Sequence, residues 1–306
     1  MINYLKSDLY VMLKMRVAYI LPIIMLLVML LSGVIYLRVN LGALGMAATM
    51  DQAMALQEDN KDAPSSEIMA DSFVLGMNAG EEEVTPMMED ESFGKGIFSG
   101  GMLYDTDAAT FCILMLAGLT GTMLIGIFST FLFGNWVRSG LSKNILKGNS
   151  NRWIPFLSKA LVVLIYTIFM VAFILLMGIL IFGIMGQGFV FGFTGEFVKA
   201  ILCTIGLNYA FAMLVGAITV LTKSTGLGMV FDILCGGGFL SMGFMLIELL
   251  INHVILDNGT VSLTEYTLTG TIQAATPNAH ALIVMAIYLV VSVICGGLAY
   301  QKRDIH

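Results

Sequence analysis

The sequence predicts an all-α, polytopic membrane protein. It would have six transmembrane helices, both termini inside, an N-terminal interfacial amphipathic helix and a large acidic extracellular loop. Three observations carry this prediction. Of 306 residues, 58% are apolar and only 12% charged, against about 25% charged in a soluble domain. That excludes an ordinary water-soluble enzyme, and the hydrophobicity excludes disorder. Six apolar stretches reach the length of about 20 residues that a spanning helix needs. The Lys and Arg residues gather in alternate connecting segments, as cytoplasmic loops do.

Residues 1–16 come first. At helical spacing Ile2, Leu5, Leu9, Met12 and Leu13 share one face, while Asn3, Ser7 and Lys14 share the other. This fits a helix lying in the cytoplasmic interface with its lysines near anionic headgroups. The alternative is a frayed start to the first span. That span, 17–37, is bracketed by Arg16 and Arg38 with no charge between. It is of full spanning length and no small-residue cleavage site follows it, so a cleavable signal is not expected. The remaining spans are expected at 108–134, 160–184, 200–222, 226–251 and 281–300.

Between the first two spans lies the insert 38–107, with fourteen acids and three bases. The rest of the chain has twelve bases and seven acids, so the formal charge of −6 hides a basic membrane body. The insert is either a solvated acidic loop or an electrostatic attractor of cationic substrates; nucleic acid is not an expected partner. With the N-terminus inside, eleven of the fifteen bases fall on the cytoplasmic side and four outside. The segment 252–280 also falls outside.

Candidate chemistry is sparse. His253, His280 and His306 lie near predicted membrane edges or the tail, and no metal, serine-nucleophile or phosphate-loop motif is present. No enzymatic activity, metal or cofactor is therefore expected in this chain. Cys112, Cys203, Cys235 and Cys295 each lie in an apolar run and read as buried thiols. Asp232 and Glu248 are the ionisable residues within a predicted span, and such residues are candidate sites. On a straight helix they would be roughly 24 Å apart, with Asp232 near the cytoplasmic end and Glu248 near the outer end. Each is either an intramembrane group or a side chain reaching its own interface. Between them Gly236, Gly237 and Gly238 mark either a broken helix or a tight helix contact.

The cytoplasmic segment 133–159, FGNWVRSGLSKNILKGNSNRWIPFLSK, holds five bases and no acid. Leu141, Ile145 and Leu146 can form a short apolar ridge, suited to docking in a groove of a soluble partner. This segment resembles the loop after the second span in bacterial ABC-2-type exporter permeases, particularly the peptide- and antibiotic-export group of Firmicutes. Phe133, Gly140, Lys143, Asn144, Gly148, Arg152 and Lys159 match that pattern. Asn135 replaces the group's usual acid, and Asn151 precedes the arginine, with Ser150 one place earlier. The ending Tyr300-Gln-Lys-Arg-Asp-Ile is similar to the aromatic-x-Lys-Arg-Asp close of many such permeases.

The resemblance covers the whole chain in layout and about thirty residues in motif. It implies a membrane subunit of the bacterial cell membrane that pairs with a second copy or a paralogue. Separate cytoplasmic ATPase subunits would bind ATP and Mg. They would dock on a coupling helix within 138–152, at Gly140, Leu141, Lys143, Asn144, Ile145, Leu146, Lys147 and Arg152. Short re-entrant helices would lie within 257–277. An amphipathic peptide, antibiotic or drug is the expected substrate. Two alternatives stand beside this: an ion-coupled carrier using Asp232 and Glu248, and a sensor or assembly protein with an acidic outer loop.

Overall fold

The computed structural model describes residues 2–33, 112, 115–116, 118–138, 153–184, 195–252, 262–274 and 277–301. The insert 38–107 and the loop 139–152 lie outside the described residues. The chain divides into two compact units, Met1–Met29 with Asp107–His306, and Leu30–Thr106. In the second unit the described part is Leu30–Gly33, the end of a helix.

Among the described residues the structure is almost entirely helical, with no strands. Helix α1 (Ile2–Lys14) is followed after Met15 by α2 (Arg16–Gly33). Then come α3 (Leu119–Arg138), α4 (Trp153–Ile184), α5 (Gly195–Thr222), α6 (Thr225–Gly236) and α7 (Phe239–Leu250). A 3-10 turn (Thr264–Tyr266), α8 (Leu268–Ala274) and α9 (Ala279–Gln301) complete the order. Four helices are long and apolar enough to cross a membrane: α2, α4, α5 and α9. Helices α6 and α7 make a fifth if counted as one broken span; the apolar part of α3, Leu119–Asn135, is shorter. The chain therefore has the helices of a multi-pass membrane protein.

Three sequence expectations change. The third span starts at Trp153, not 160, so Trp153–Lys159 belongs to the helix rather than to the loop. Pro155 allows this because it falls in the first turn, where no intrahelical partner for its nitrogen is missing. The fourth starts at Gly195, not 200. The fifth is not one helix over 226–251: it breaks between Gly236 and Phe239, and α6 and α7 are bent by 50°. Gly238 at the break has φ +82°, the left-handed region that glycine enters without Cβ strain.

The turn from α5 to α6 is tight. Lys223 takes φ +55° and Ser224 caps α6 by accepting a 3.3 Å hydrogen bond from the Leu227 amide. Helix α6 therefore doubles back on α5. Thr219 of α5 lies at Gly228 of α6, and Phe211 at Gly236. Helix α3 runs parallel to α5: Thr122 bonds Asn208, and Ser129 bonds the Ala212 carbonyl. It runs antiparallel to α4, where Phe128 stacks on Tyr166 at 3.6 Å and Phe133 meets Phe156 at 5.6 Å. Helix α9 is parallel to α5, with Met285 at Gly206 and Gly296 at Ala217. Neighbouring directions thus alternate along the chain.

One end of this bundle is aromatic. Trp153, Phe156, Phe133 and Tyr300 cluster there, and Gly296 and Gly297 let Phe156 and Trp153 lie directly on α9. The outward faces carry large apolar side chains such as Leu27, Leu202, Leu227, Met242 and Ile287. That is the pattern of a surface solvated by lipid rather than water. Cys112, Cys203 and Cys235 are buried, but Cys295 is exposed on α9, against the expectation of four buried thiols.

Candidate functional site

Asp232 is the centre of the candidate site. It lies on α6 between Gly228 and Gly236, each one turn away. Helix α3 opposes it with Gly126, Thr130 and Gly134, also at one-turn spacing. The two stripes interlock. Thr225 lies against Gly134, Gly228 against Thr130, Asp232 against Gly126, and Gly236 against the Met123 Cα. Small residues at every fourth position let helix backbones approach this closely in a membrane. A Cβ placed on Gly126 would overlap Asp232 Oδ1.

The depth of Asp232 follows from this register. Gly126 lies on α3 between Gly121, which is opposite Ile174, and Phe128, which stacks on Tyr166. Asp232 is therefore level with the middle of α4. Of the two readings of Asp232, an intramembrane group or a side chain reaching its interface, the burial favours the first: Asp232 is 0% exposed. Neither carboxylate oxygen has a hydrogen bond or ion pair among the described residues. An ionised Asp at the centre of a spanning helix costs about 3 kcal/mol on insertion scales, so this position is not a neutral packing choice.

A polar seam runs along α3 and α5 beside this contact. The Thr122 hydroxyl donates to Asn208 Oδ1 at 2.7 Å, and Asn208 Nδ2 donates to the Thr204 carbonyl at 2.9 Å. Ser129 donates to the Ala212 carbonyl at 2.6 Å, and Thr219 to the Val215 carbonyl at 2.8 Å. Thr130 is also buried, and its hydroxyl has no partner among the described residues. The seam thus combines satisfied side chains with two polar groups that are not.

Glu248 behaves differently. It is half-buried on α7 and accepts from both the backbone amide and the hydroxyl of Thr264. A second link joins the same segments, Ser241 to Thr269 at 2.6 Å between hydroxyls. Asp232 and Glu248 are on opposite sides of the helix break and meet different partners, so the structure does not join them into one site. Gly236 serves as a close contact, while Gly237 and Gly238 form the break, so both readings of the glycine run apply, one to each part. His280 bonds the Glu265 carbonyl through Nε2 at 3.0 Å and packs edge-on against Tyr266.

A third feature joins α1 to α4. Lys159 Nζ lies 2.8 Å from Asp8 Oδ1, and Ser158 donates to Asp8 Oδ2 at 2.6 Å. Lys159, expected as a loop base, is a buried partner of the N-terminal helix. Asp8 was not singled out in the sequence; its signal is an acid in a helix otherwise short of them. The docking residues Gly140, Leu141, Lys143, Asn144, Ile145, Leu146, Lys147 and Arg152 lie outside the described residues. They connect the end of α3 to the start of α4. Within 257–277, where the resemblance implies short re-entrant helices, the described residues form the 3-10 turn and α8. A scan of protein-family models finds none that matches this chain, and a comparison with curated proteins likewise finds no match.

Proposed function

We propose that the chain is the membrane-spanning permease subunit of an ATP-driven exporter in a bacterial cell membrane, with six spans and both termini inside. It pairs with a second copy or a paralogue. Separate ATPase subunits bind ATP and Mg and dock on 138–152. The substrate is an amphipathic peptide, antibiotic or drug. The observation that carries this reading is the clamp between α1 and α4. The loop 139–152 runs directly into α4 at Trp153, and Lys159 and Ser158, within two turns of that entry, hold Asp8 of α1. A push on the loop therefore moves α4 and the N-terminal helix together. The alternating helix directions and the resemblance of 133–159 to exporter-permease loops support the same reading.

The test starts from the neighbouring reading frames, one of which should encode a Walker-type ATPase, and co-expresses that ATPase with this chain. Wild type should retain that ATPase through purification, and the double variant L141D/I145D should lose it while still inserting. Retention by the double variant would overturn the docking claim. So would transport by the chain alone in proteoliposomes driven by an ion gradient, which is the behaviour of an ion-coupled carrier.

A further inference from the structure

We propose that Asp232 is a proton-binding site, and that its proton is what lets α6 seat against α3. The carboxyl is buried midway along the bundle and unpartnered among the described residues. It is also closed in. Oδ1 sits where a Cβ of Gly126 would be, so the α3 backbone covers it directly. A metal ion or an ammonium group needs several ligands around it and room for them. A proton needs one oxygen and no room. Thr130, one turn from Gly126, adds a second buried polar group without a partner among the described residues to the same seam.

The surroundings offer no competing charge. Helix α3 presents Gly126, Met123 and Thr130, and α5 presents Phe211 and Thr219. The ionisable groups on the packed elements are Cys235 on α6, Glu196, Lys199, Cys203 and Tyr209 on α5, and Arg138 on α3. The two bases belong to helix ends: Arg138 is twelve residues along α3 from Gly126, and Lys199 twelve residues before Phe211 on α5, roughly 18 Å of helix in each case, so neither is level with the carboxyl. Proton uptake moves one proton from hydronium to the carboxylate: one O–H bond of hydronium breaks, leaving water, and one O–H bond forms on Asp232. Loss of that proton leaves a carboxylate with no hydrogen-bond donor or cation on it among the described residues. Helix α6 can then leave the seam by pivoting at Gly237–Gly238, where the chain is already broken. The proposal holds whichever force drives transport.

The full chain in phosphatidylethanolamine–phosphatidylglycerol nanodiscs tests it. Infrared difference spectra across a pH series should contain a protonated-carboxyl stretch in wild type that is absent in D232N. Deuterium exchange over 225–236, taken relative to 279–301, should rise at least about tenfold as that band disappears, the change that one unit of proton linkage produces. In D232N the ratio should stay flat. The same band in both proteins would overturn the proposal, as would a wild-type ratio that is flat with pH. An exchange ratio that follows sodium concentration at fixed pH would also overturn it, by showing a metal cation in the proton's place. Should D232N fail to fold, the wild-type exchange ratio decides alone.

Discussion

Adding one methyl group at Gly126 tests the seam between α3 and α6. In Gly126→Ala the new Cβ would overlap Asp232 Oδ1, stand 2.7 Å from its Cγ and 3.1 Å from Oδ2. The whole carboxyl must turn, and at 0% exposure it has no open space to turn into. Overpacking of this kind costs about 1–3 kcal/mol, and alanine returns about 1 kcal/mol of helix propensity. The expected net loss is about 0–2 kcal/mol. Gly243→Ala on α7 is the internal standard, because nothing lies within 4 Å of its Cβ position; it should be neutral or slightly stabilising. Removing the obstacle should remove the penalty. In a D232A background, Gly126→Ala should fall to the Gly243→Ala value, a coupling of about 2 kcal/mol. Reversible unfolding by sodium dodecyl sulfate in bicelles measures all four variants. A Gly126→Ala effect that equals the standard, or that persists unchanged in D232A, refutes the close contact.

Two further outcomes follow from the same geometry. Asp8→Ala strips the buried Lys159 ammonium of its carboxylate and should cost about 2–3 kcal/mol, most of it relieved in D8A/K159M, since a broken buried pair is worse than none. Trypsin should then cut after Lys6 and Lys14 faster than in wild type; equal cutting rates would show that α1 is held by other means. Gly238→Ala should cost about 1–2 kcal/mol because φ +82° strains any Cβ. Gly238→Asn should cost less, since asparagine tolerates this region, and the order Gly, Asn, Ala in bicelle unfolding checks the claim.

Much of this architecture was legible in the sequence. Apolar runs between charges locate a spanning helix because burial in lipid is set by composition over about 20 residues, and α2, α5 and α9 lie close to where those runs put them. Helix starts were less legible. Trp153–Lys159 carries Pro155 and Lys159, which look like loop residues until Asp8 is seen to pair with the lysine. The partner is 151 residues away in sequence, and no local pattern reports a contact of that range. The depth of Asp232 is hidden from the sequence for a related reason. Counting from Lys223 along a straight helix places it near the inner edge, but α6 is short, broken and seated by its register on α3. That register is carried by two stripes: Gly126, Thr130, Gly134 and Gly228, Asp232, Gly236. Spacing of four among small residues marks a helix contact; an aspartate in the middle of one marks what the contact encloses.

Under the proposed function, those stripes would also determine how a push on the loop passes through the bundle. Helices α3 and α4 are the two elements that the loop 139–152 joins. At that end they are tied together by Phe133 and Phe156, and to α9 by Phe156 on Gly296. Helix α1 is tied to α4 by Asp8. These aromatic and ionic contacts make the end stiff, so a displacement of the loop cannot be absorbed there. Further along α3, the side facing α6 offers glycine and threonine, with no hydrogen bond across the Gly126 contact. A tilt of α3 is therefore taken up first where Gly126 meets Asp232, because that contact has close approach but no bond to hold it. The α6–α7 break then decides the response. A continuous helix would carry the tilt through to Glu248 and its Thr264 link, whereas a joint at Gly237–Gly238 lets α6 move while α7 stays fastened to the segment before α9.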